Sequence, residues 1–233
     1  MALLRQSVGS VEVITPAGRI LRPPPRVAMS ARSMLGFASL GGPADSITAL
    51  AQEVTQLVQS YVAPPDRSAM RDAVLAQPLL LAFPVIPAFS AKRASGDILW
   101  TTEQAIVRGD SAKALAELRK LMDAQSSDLP NDISLDFRFQ ESWLAAQLGD
   151  SARAEAFLDR GLDAIPTYGQ FLLDNVPAPA ALVRMMTLRA DLAAKRGDPV
   201  TARKWASGVI ALWSDADPEL QPVVKRMRSI ASP

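Results

Sequence analysis

The sequence predicts an all-α protein built from repeated helix hairpins. Gly-Asp occurs at Gly109, Gly149 and Gly197, and each time an alanine follows five positions after the glycine. Each copy lies between two segments of helical periodicity. The composition agrees, because 48% of the residues are hydrophobic but only 6% are aromatic. A core made mainly of Ala, Leu and Val suits closely packed helices better than sheets.

Residues 1–42 lack this periodicity, and we expect them to form an extended, irregular arm. Apolar and polar residues alternate over 10–21 around a turn signal at 16–18, which predicts a short β-hairpin. Three consecutive prolines at 23–25 then predict a stiff polyproline segment. Residues 26–42 are rich in Ser, Gly and Ala and are expected to be irregular.

Residues 43–95 are predicted to form helices that pack on the repeats. Pro43 can occupy the first turn of a helix, which the prolines from Pro64 onward end. The apolar face of this helix consists of Ile47, Leu50, Val54, Leu57, Val58 and Tyr61. A second helix is expected to start at a cap provided by Asp66 and to be disturbed at Pro78.

Residues 96–233 contain the repeats and a final helix. The predicted hairpin helices span 98–108 and 111–123, 135–148 and 151–164, and 180–196 and 199–213. A last helix is expected to start at Asp217 and to cover the end of the array.

The recurring Gly-Asp pairs have a structural explanation. A glycine just after a helix can take positive φ without a Cβ clash. The aspartate that follows can accept the free N–H groups of the next helix, and the alanine one turn later allows close approach. The nine residues given these structural roles are Gly109, Asp110, Ala114, Gly149, Asp150, Ala154, Gly197, Asp198 and Ala202.

The middle copy, residues 135–166, resembles a tetratricopeptide repeat. The resemblance is carried by Ser142, Gly149-Asp150, Ala154, Leu158, Gly161 and the terminating Pro166. It extends over about 96–213 and implies an α-solenoid, a class that usually binds other proteins. The glycines are 40 (149−109) and 48 (197−149) residues apart. Because the family repeat is about 34 residues long, the loops between units must be expanded.

The C-terminal third also resembles the repeat tails of bacterial proteins fused to Ser/Thr kinases. The resemblance rests on residues 180–184, 188–193 and 212–220. The chain has no glycine-rich phosphate loop, and without His it cannot hold a His-Arg-Asp catalytic motif. The resemblance therefore implies an accessory sensor region without its kinase.

The composition excludes several function classes. The chain has no Cys and no His, so disulfides, zinc–thiolate sites, Cys nucleophiles and Ser-His-Asp triads cannot form within it. A net charge of +1 gives no reason to expect a nucleic-acid partner. The most apolar stretch, 79–89, is too short to span a bilayer. We expect a cytoplasmic protein without cofactors, and the sequence carries no signal of oligomeric state.

The repeat resemblance implies a groove lined by the first helix of each hairpin. The residues placed there are Glu103, Phe139, Trp143, Gln147, Arg184, Asp191 and Lys195. A mixed apolar and charged groove suits the capture of a peptide or helix, so the leading hypothesis is a non-enzymatic protein-interaction module or scaffold. The alternative is that residues 43–89 fill the groove and make Phe139 and Trp143 part of the core.

Two further hypotheses stay open. The arm, residues 1–42, could anchor the chain as an accessory subunit of a larger complex. Its Arg19, Arg22 and Arg26 could contact phosphates or an acidic membrane. A carboxylate-based enzyme on a helical scaffold would need two acids flanking one substrate bond. The acidic groups that stand out in the sequence are Asp128, Asp132 and Asp136, and Asp215, Asp217 and Glu219. Helix capping and surface loops explain both groups more simply.

Overall fold

The structure is a computed structural model, and it describes residues 3–7, 10–14, 20–85, 99–124, 135–167 and 177–232. The described chain is mostly helical, which confirms the predicted class in its coarse form. It divides into two compact units, Met1–Arg108 and Gly109–Pro233. The boundaries that the sequence suggests after residues 42 and 95 stay predictions.

The first unit begins with three short antiparallel strands in the order β1-β2-β3. The strands are β1 (Leu3–Ser7), β2 (Ser10–Ile14) and β3 (Ile20–Leu21). Between β2 and β3, Val13 pairs with Leu21 and Ile14 pairs with Ile20. The turn predicted at 16–18 lies outside the described residues.

Four α-helices follow among the described residues of the first unit. They are α1 (Pro25–Leu40), α2 (Ala44–Tyr61), α3 (Arg67–Ala82) and α4 (Trp100–Val107). The first three pack against one another in every pairing. Their shared core includes Val27, Met34, Ile47, Val54, Val58, Met70 and Leu79.

Helix α1 corrects the expectation that residues 26–42 are irregular. Pro25 fits the first turn, and Gly41 ends the helix with a φ of 70°. Val27, Met34 and Ala38 are buried on one face against α2 and α3. Ser and Gly lower the intrinsic helix propensity of this segment, so packing of that face decides its conformation.

Helix α3 differs from its prediction at both Asp66 and Pro78. The helix continues through Pro78 to Ala82, and Pro78 and its neighbours are buried. Burial of this apolar segment offsets the hydrogen bond that proline removes from the helix. Asp66 stands at the N-cap position, but its buried side chain makes no capping hydrogen bond.

In the described part of the second unit, two helix hairpins are preceded by one α-helix and followed by another. Its helices are α5 (Ser111–Ala124), α6 (Leu135–Gln147), α7 (Ser151–Asp163), α8 (Pro177–Arg196), α9 (Pro199–Trp213) and α10 (Gln221–Ala231). Helices α6 and α7 form one hairpin and α8 and α9 the next, and α8 packs on both α6 and α7. The last helix starts at Gln221, so Asp217 lies in the preceding turn and is not its cap.

Each Gly-Asp pair ends one helix and starts another. The three glycines have φ values of 79°, 87° and 79° in chain order. Asp110, Asp150 and Asp198 accept hydrogen bonds from the backbone N–H three residues on, at 3.0, 3.3 and 3.0 Å. The alanines that follow in each helix are Ala114, Ala154 and Ala202, and all are buried. This is the geometry that a stop-and-cap role requires.

Contacts along α7 establish that α6 and α8 run parallel. Late in α7, a Cβ atom on Gly161 would lie 2.6 Å from Met185 Cε and 3.3 Å from Arg138 Cδ, which are early in α8 and α6. Early in α7, Glu155 pairs with Arg196 at the end of α8. Helix α7 is therefore antiparallel to both neighbours, and α6 and α8 end on the same side of the unit.

Two glycine substitutions should change stability in opposite directions. Gly149→Ala should lower the free energy of unfolding by about 1–2 kcal/mol, because alanine resists positive φ. Gly36→Ala, inside α1, should raise it by about 0.5–1 kcal/mol, because the added methyl group meets no atom within 4 Å. Urea unfolding followed by circular dichroism measures both. Equal effects of the two variants would contradict the assigned role of Gly149.

Candidate functional site

The first helices of the two hairpins meet at Phe139 of α6 and Arg184 of α8. The Arg184 Cζ atom lies 4.1 Å from the centre of the Phe139 ring, close enough for a cation–π interaction. Phe139 is buried. Burial also lowers the pKa of Arg184 to about 10. Phe139 is therefore covered at this end of the α6–α8 contact, whereas Arg184 keeps part of its surface exposed.

Farther along the two parallel helices the surface opens. Trp143 and Gln147 follow Phe139 on α6, and Asp191 and Lys195 follow Arg184 on α8. Trp143 and Asp191 are half-buried, whereas Gln147 and Lys195 are exposed. We call these four residues the α6–α8 face.

Arg226 of the last helix forms an ion pair with Asp191 of the α6–α8 face. Burial raises the pKa of Asp191, and the positive charges of Arg226 and Lys195 oppose that shift. Arg226 of α10 donates a hydrogen bond to Asp191 Oδ2 at 3.0 Å. Asp191 is thus held in place, and Lys195 is left as the exposed cation of the face.

The α6–α8 face offers groups that recognise polypeptide. An indole supplies apolar area with little entropy to lose, an amide can bond to a peptide backbone, and an ammonium can pair with a carboxylate. These chemical groups are suited to binding a polypeptide segment.

Glu103 and Phe139 are buried, whereas the repeat resemblance places them in an exposed groove. Glu103 is fully buried on α4, as are its neighbours Thr102 and Ala105. It lies in the first unit and adds nothing to an exposed surface. Phe139 is buried with Arg184 of α8 over its ring, and the alternative that residues 43–89 cover it stays a prediction. Helical periodicity shows which residues share a face but not what covers that face.

An ionic network with a buried Glu155–Arg189 pair at its centre joins the two hairpins and was not predicted. Glu155 Oε2 on α7 lies 2.9 Å from Arg189 Nη1 and 2.5 Å from Arg196 Nη1 on α8. Arg189 also donates two hydrogen bonds to Asp159, at 2.7 and 3.1 Å. Burial by itself lowers the pKa of Arg189, but Asp159 and Glu155 outweigh it and the pKa is raised. The sequence signal is an acidic pair one turn apart on α7 and basic residues two turns apart on α8.

A second set of ion pairs connects α5 to the start of α7. Arg119 lies 2.7 Å from the Asp150 carboxylate, and Asp123 pairs with Arg153. Asp150 therefore serves both as a helix cap and as an ion-pair partner. Asp198 does the same through Arg196, at 3.1 Å.

The first unit has a groove of about 560 Å³ between α2 and α3. Its lining residues are Ala51, Gln52, Thr55, Gln56, Arg71, Asp72, Leu75 and Leu79. Asp72 is the carboxylate in this lining, and it lies 2.6 Å from Arg71. The lining does not hold the two acids that the enzyme hypothesis needs.

The acidic group at residues 128–136 lies where no side chains are described for its aspartates. Asp128 and Asp132 lie outside the described residues, and the side chain of Asp136 is not described. Within the described ranges, no group of three or more acidic residues could hold a metal ion. In the same ranges, every helix is too short or too polar to cross a bilayer.

No family model matches this chain, and neither a curated protein nor a solved structure matches it. The repeat resemblance therefore depends on the sequence pattern alone.

Asp198→Asn and Asp191→Asn should shift the pH dependence of stability in opposite directions. Hydrogen bonds from Thr201, with a smaller effect of Arg196, lower the pKa of Asp198 from 3.8 to about 2. Its charge stabilises the fold above about pH 4, and that stabilisation is lost between about pH 4 and 2. Burial raises the pKa of Asp191 in the folded state. The stability that its protonated form provides is therefore fully present below about pH 3.8 and is lost as the pH rises through the folded pKa.

The measurement is the free energy of urea unfolding of both variants and the parent between pH 7 and pH 3. Relative to the parent, the loss of unfolding free energy in Asp198→Asn should shrink as the pH falls. The loss in Asp191→Asn should grow over the same range. Parallel curves for the two variants would show that the assigned environments are wrong.

Proposed function

We propose that this chain is a non-enzymatic protein-interaction module or scaffold whose α6–α8 face binds a segment of another protein. The observation that carries the proposal is the parallel arrangement of α6 and α8. We expect this arrangement to bring half-buried Trp143 and exposed Gln147 of α6 alongside half-buried Asp191 and exposed Lys195 of α8. Such a row combines an anchoring aromatic ring with polar groups around it, as binding surfaces do.

The ionic network supports this function because it fixes the spacing of the helices. Glu155 and Arg189 are buried, and their charges would be costly to separate. The short turn at Gly149 joins α6 to α7. Because the network holds α7 against α8, α6 also lies beside α8 before a partner binds. A preorganised surface loses less entropy when it binds.

We further propose that the hairpins stack as in tetratricopeptide arrays. Three features support this arrangement: the Gly-Asp turns, the parallel first helices of successive hairpins, and α10 packed on α8 and α9. The partner is expected to be a short extended or helical segment with an apolar anchor for Trp143 and a carboxylate for Lys195. No cofactor enters this mechanism.

Selection of peptides from a random display library against the whole chain tests the proposal. Peptides selected on the parent should bind Gln147→Ala/Lys195→Glu about tenfold more weakly or worse, equivalent to about 1.4 kcal/mol. Both side chains are exposed, so helical content should not change. Fluorescence anisotropy of labelled peptides gives the dissociation constants.

Lys113→Glu is the matched control, since Lys113 is an exposed lysine on α5 of the same unit. The control should keep the affinity of the parent. Selected peptides that bind both variants equally would contradict the placement of the site, and a selection that enriches no peptide would contradict the function.

A further inference from the structure

Helix α1 leaves an apolar face uncovered. Met29 is 70% exposed and Phe37 is 42% exposed, although Val27 and Met34 of the same helix are fully buried. Exposed apolar side chains that recur on one helix face mark interaction surfaces more often than isolated ones do. This face belongs to the first unit and is separate from the α6–α8 face.

The two exposed apolar residues belong to a stripe with the spacing of a helix-pairing seam. Met29, Ser33, Gly36 and Leu40 are separated by four, three and four residues, with Phe37 beside them. Gly36 has no side chain and leaves a gap at the centre of the seam, which we call the notch. A Cβ atom placed on Gly36 would meet nothing within 4 Å. The Ser33 hydroxyl donates to the Met29 carbonyl at 3.2 Å, so it needs no partner across the seam.

The charged residues of α1 itself are all basic. Residues 13–44 contain no Asp or Glu, and Arg26 and Arg32 are exposed on α1. Arg26 donates a hydrogen bond to the Tyr61 hydroxyl at 3.0 Å, which fixes its position beside the seam. A surface of this charge favours a partner that carries carboxylates.

We propose that the α1 seam docks a helix of another protein that has an apolar stripe flanked by Asp or Glu. The notch at Gly36 lets a facing helix approach closely between Met29 and Phe37. A second copy of this chain fits poorly, because both copies would bring the positive charges of Arg26 and Arg32 to the contact and no carboxylate from α1. A bilayer fits poorly as well, because two apolar side chains around a recess offer little to insert. With the α6–α8 face, the chain would then join two partners.

The test uses a designed peptide of about 18 residues, long enough to be helical, with Leu at heptad spacing and Glu on both flanks. Titrated by fluorescence anisotropy against the whole chain, it should bind. The same peptide with Lys in place of Glu should bind about tenfold more weakly or worse.

Gly36→Leu fills the notch and should weaken binding of the acidic peptide about tenfold or more, because the helices are held apart. The fold should tolerate the change, since the site is open and leucine favours helix. Arg32→Glu should weaken the same binding, whereas Arg228→Glu, a charge reversal in the other unit, should not.

Equal binding of the Glu and Lys peptides would overturn the proposal, as would unchanged affinity in Gly36→Leu. Co-sedimentation with phosphatidylserine-containing vesicles in the absence of peptide binding would overturn it in favour of a membrane surface. None of these results depends on the α6–α8 face, because Gln147→Ala/Lys195→Glu should bind the acidic peptide as the parent does.

Discussion

The buried carboxylate of Glu155, shared by Arg189 and Arg196, is the interaction on which the second unit depends. Burying Glu155 or Arg189 without its partner would lower the free energy of unfolding by several kcal/mol. The network therefore favours a single placement of α7 against α8. The bidentate bonds from Arg189 to Asp159 fix the rotation of α8 about its own axis. Because α6 is tied to α7 by a short turn, the same contacts also set the distance between α6 and α8.

The Gly-Asp turns make local and tertiary structure depend on the same residues. Asp150 caps α7 and also pairs with Arg119 of α5, and Asp198 caps α9 and also pairs with Arg196. A helix start and a contact between helices are therefore specified together. Repetition of this device explains how a unit with few aromatic residues keeps its helices in register.

The sequence predicted most of the second unit because its turn residues are strong local signals with a known conformational cause. It did not predict α1, whose Ser- and Gly-rich sequence becomes helical only through packing on α2 and α3. It placed Phe139 and Glu103 in a groove, because periodicity does not report what covers a face. The sequence did not predict the ionic network, because Glu155 and Arg189 come into contact only after α7 and α8 have packed together.

Native-state hydrogen exchange tests most directly whether the two hairpins form one scaffold. In the parent, the slowest amides of α6 and α7 should share one opening free energy with those of α8 and α9. Arg189→Met should lower both values together by about 1.5–3 kcal/mol, because it removes the buried partner of Glu155 while Arg196 stays beside that carboxylate. Different opening free energies for the two hairpins in the parent, or a loss confined to α8 and α9 in the variant, would contradict the account.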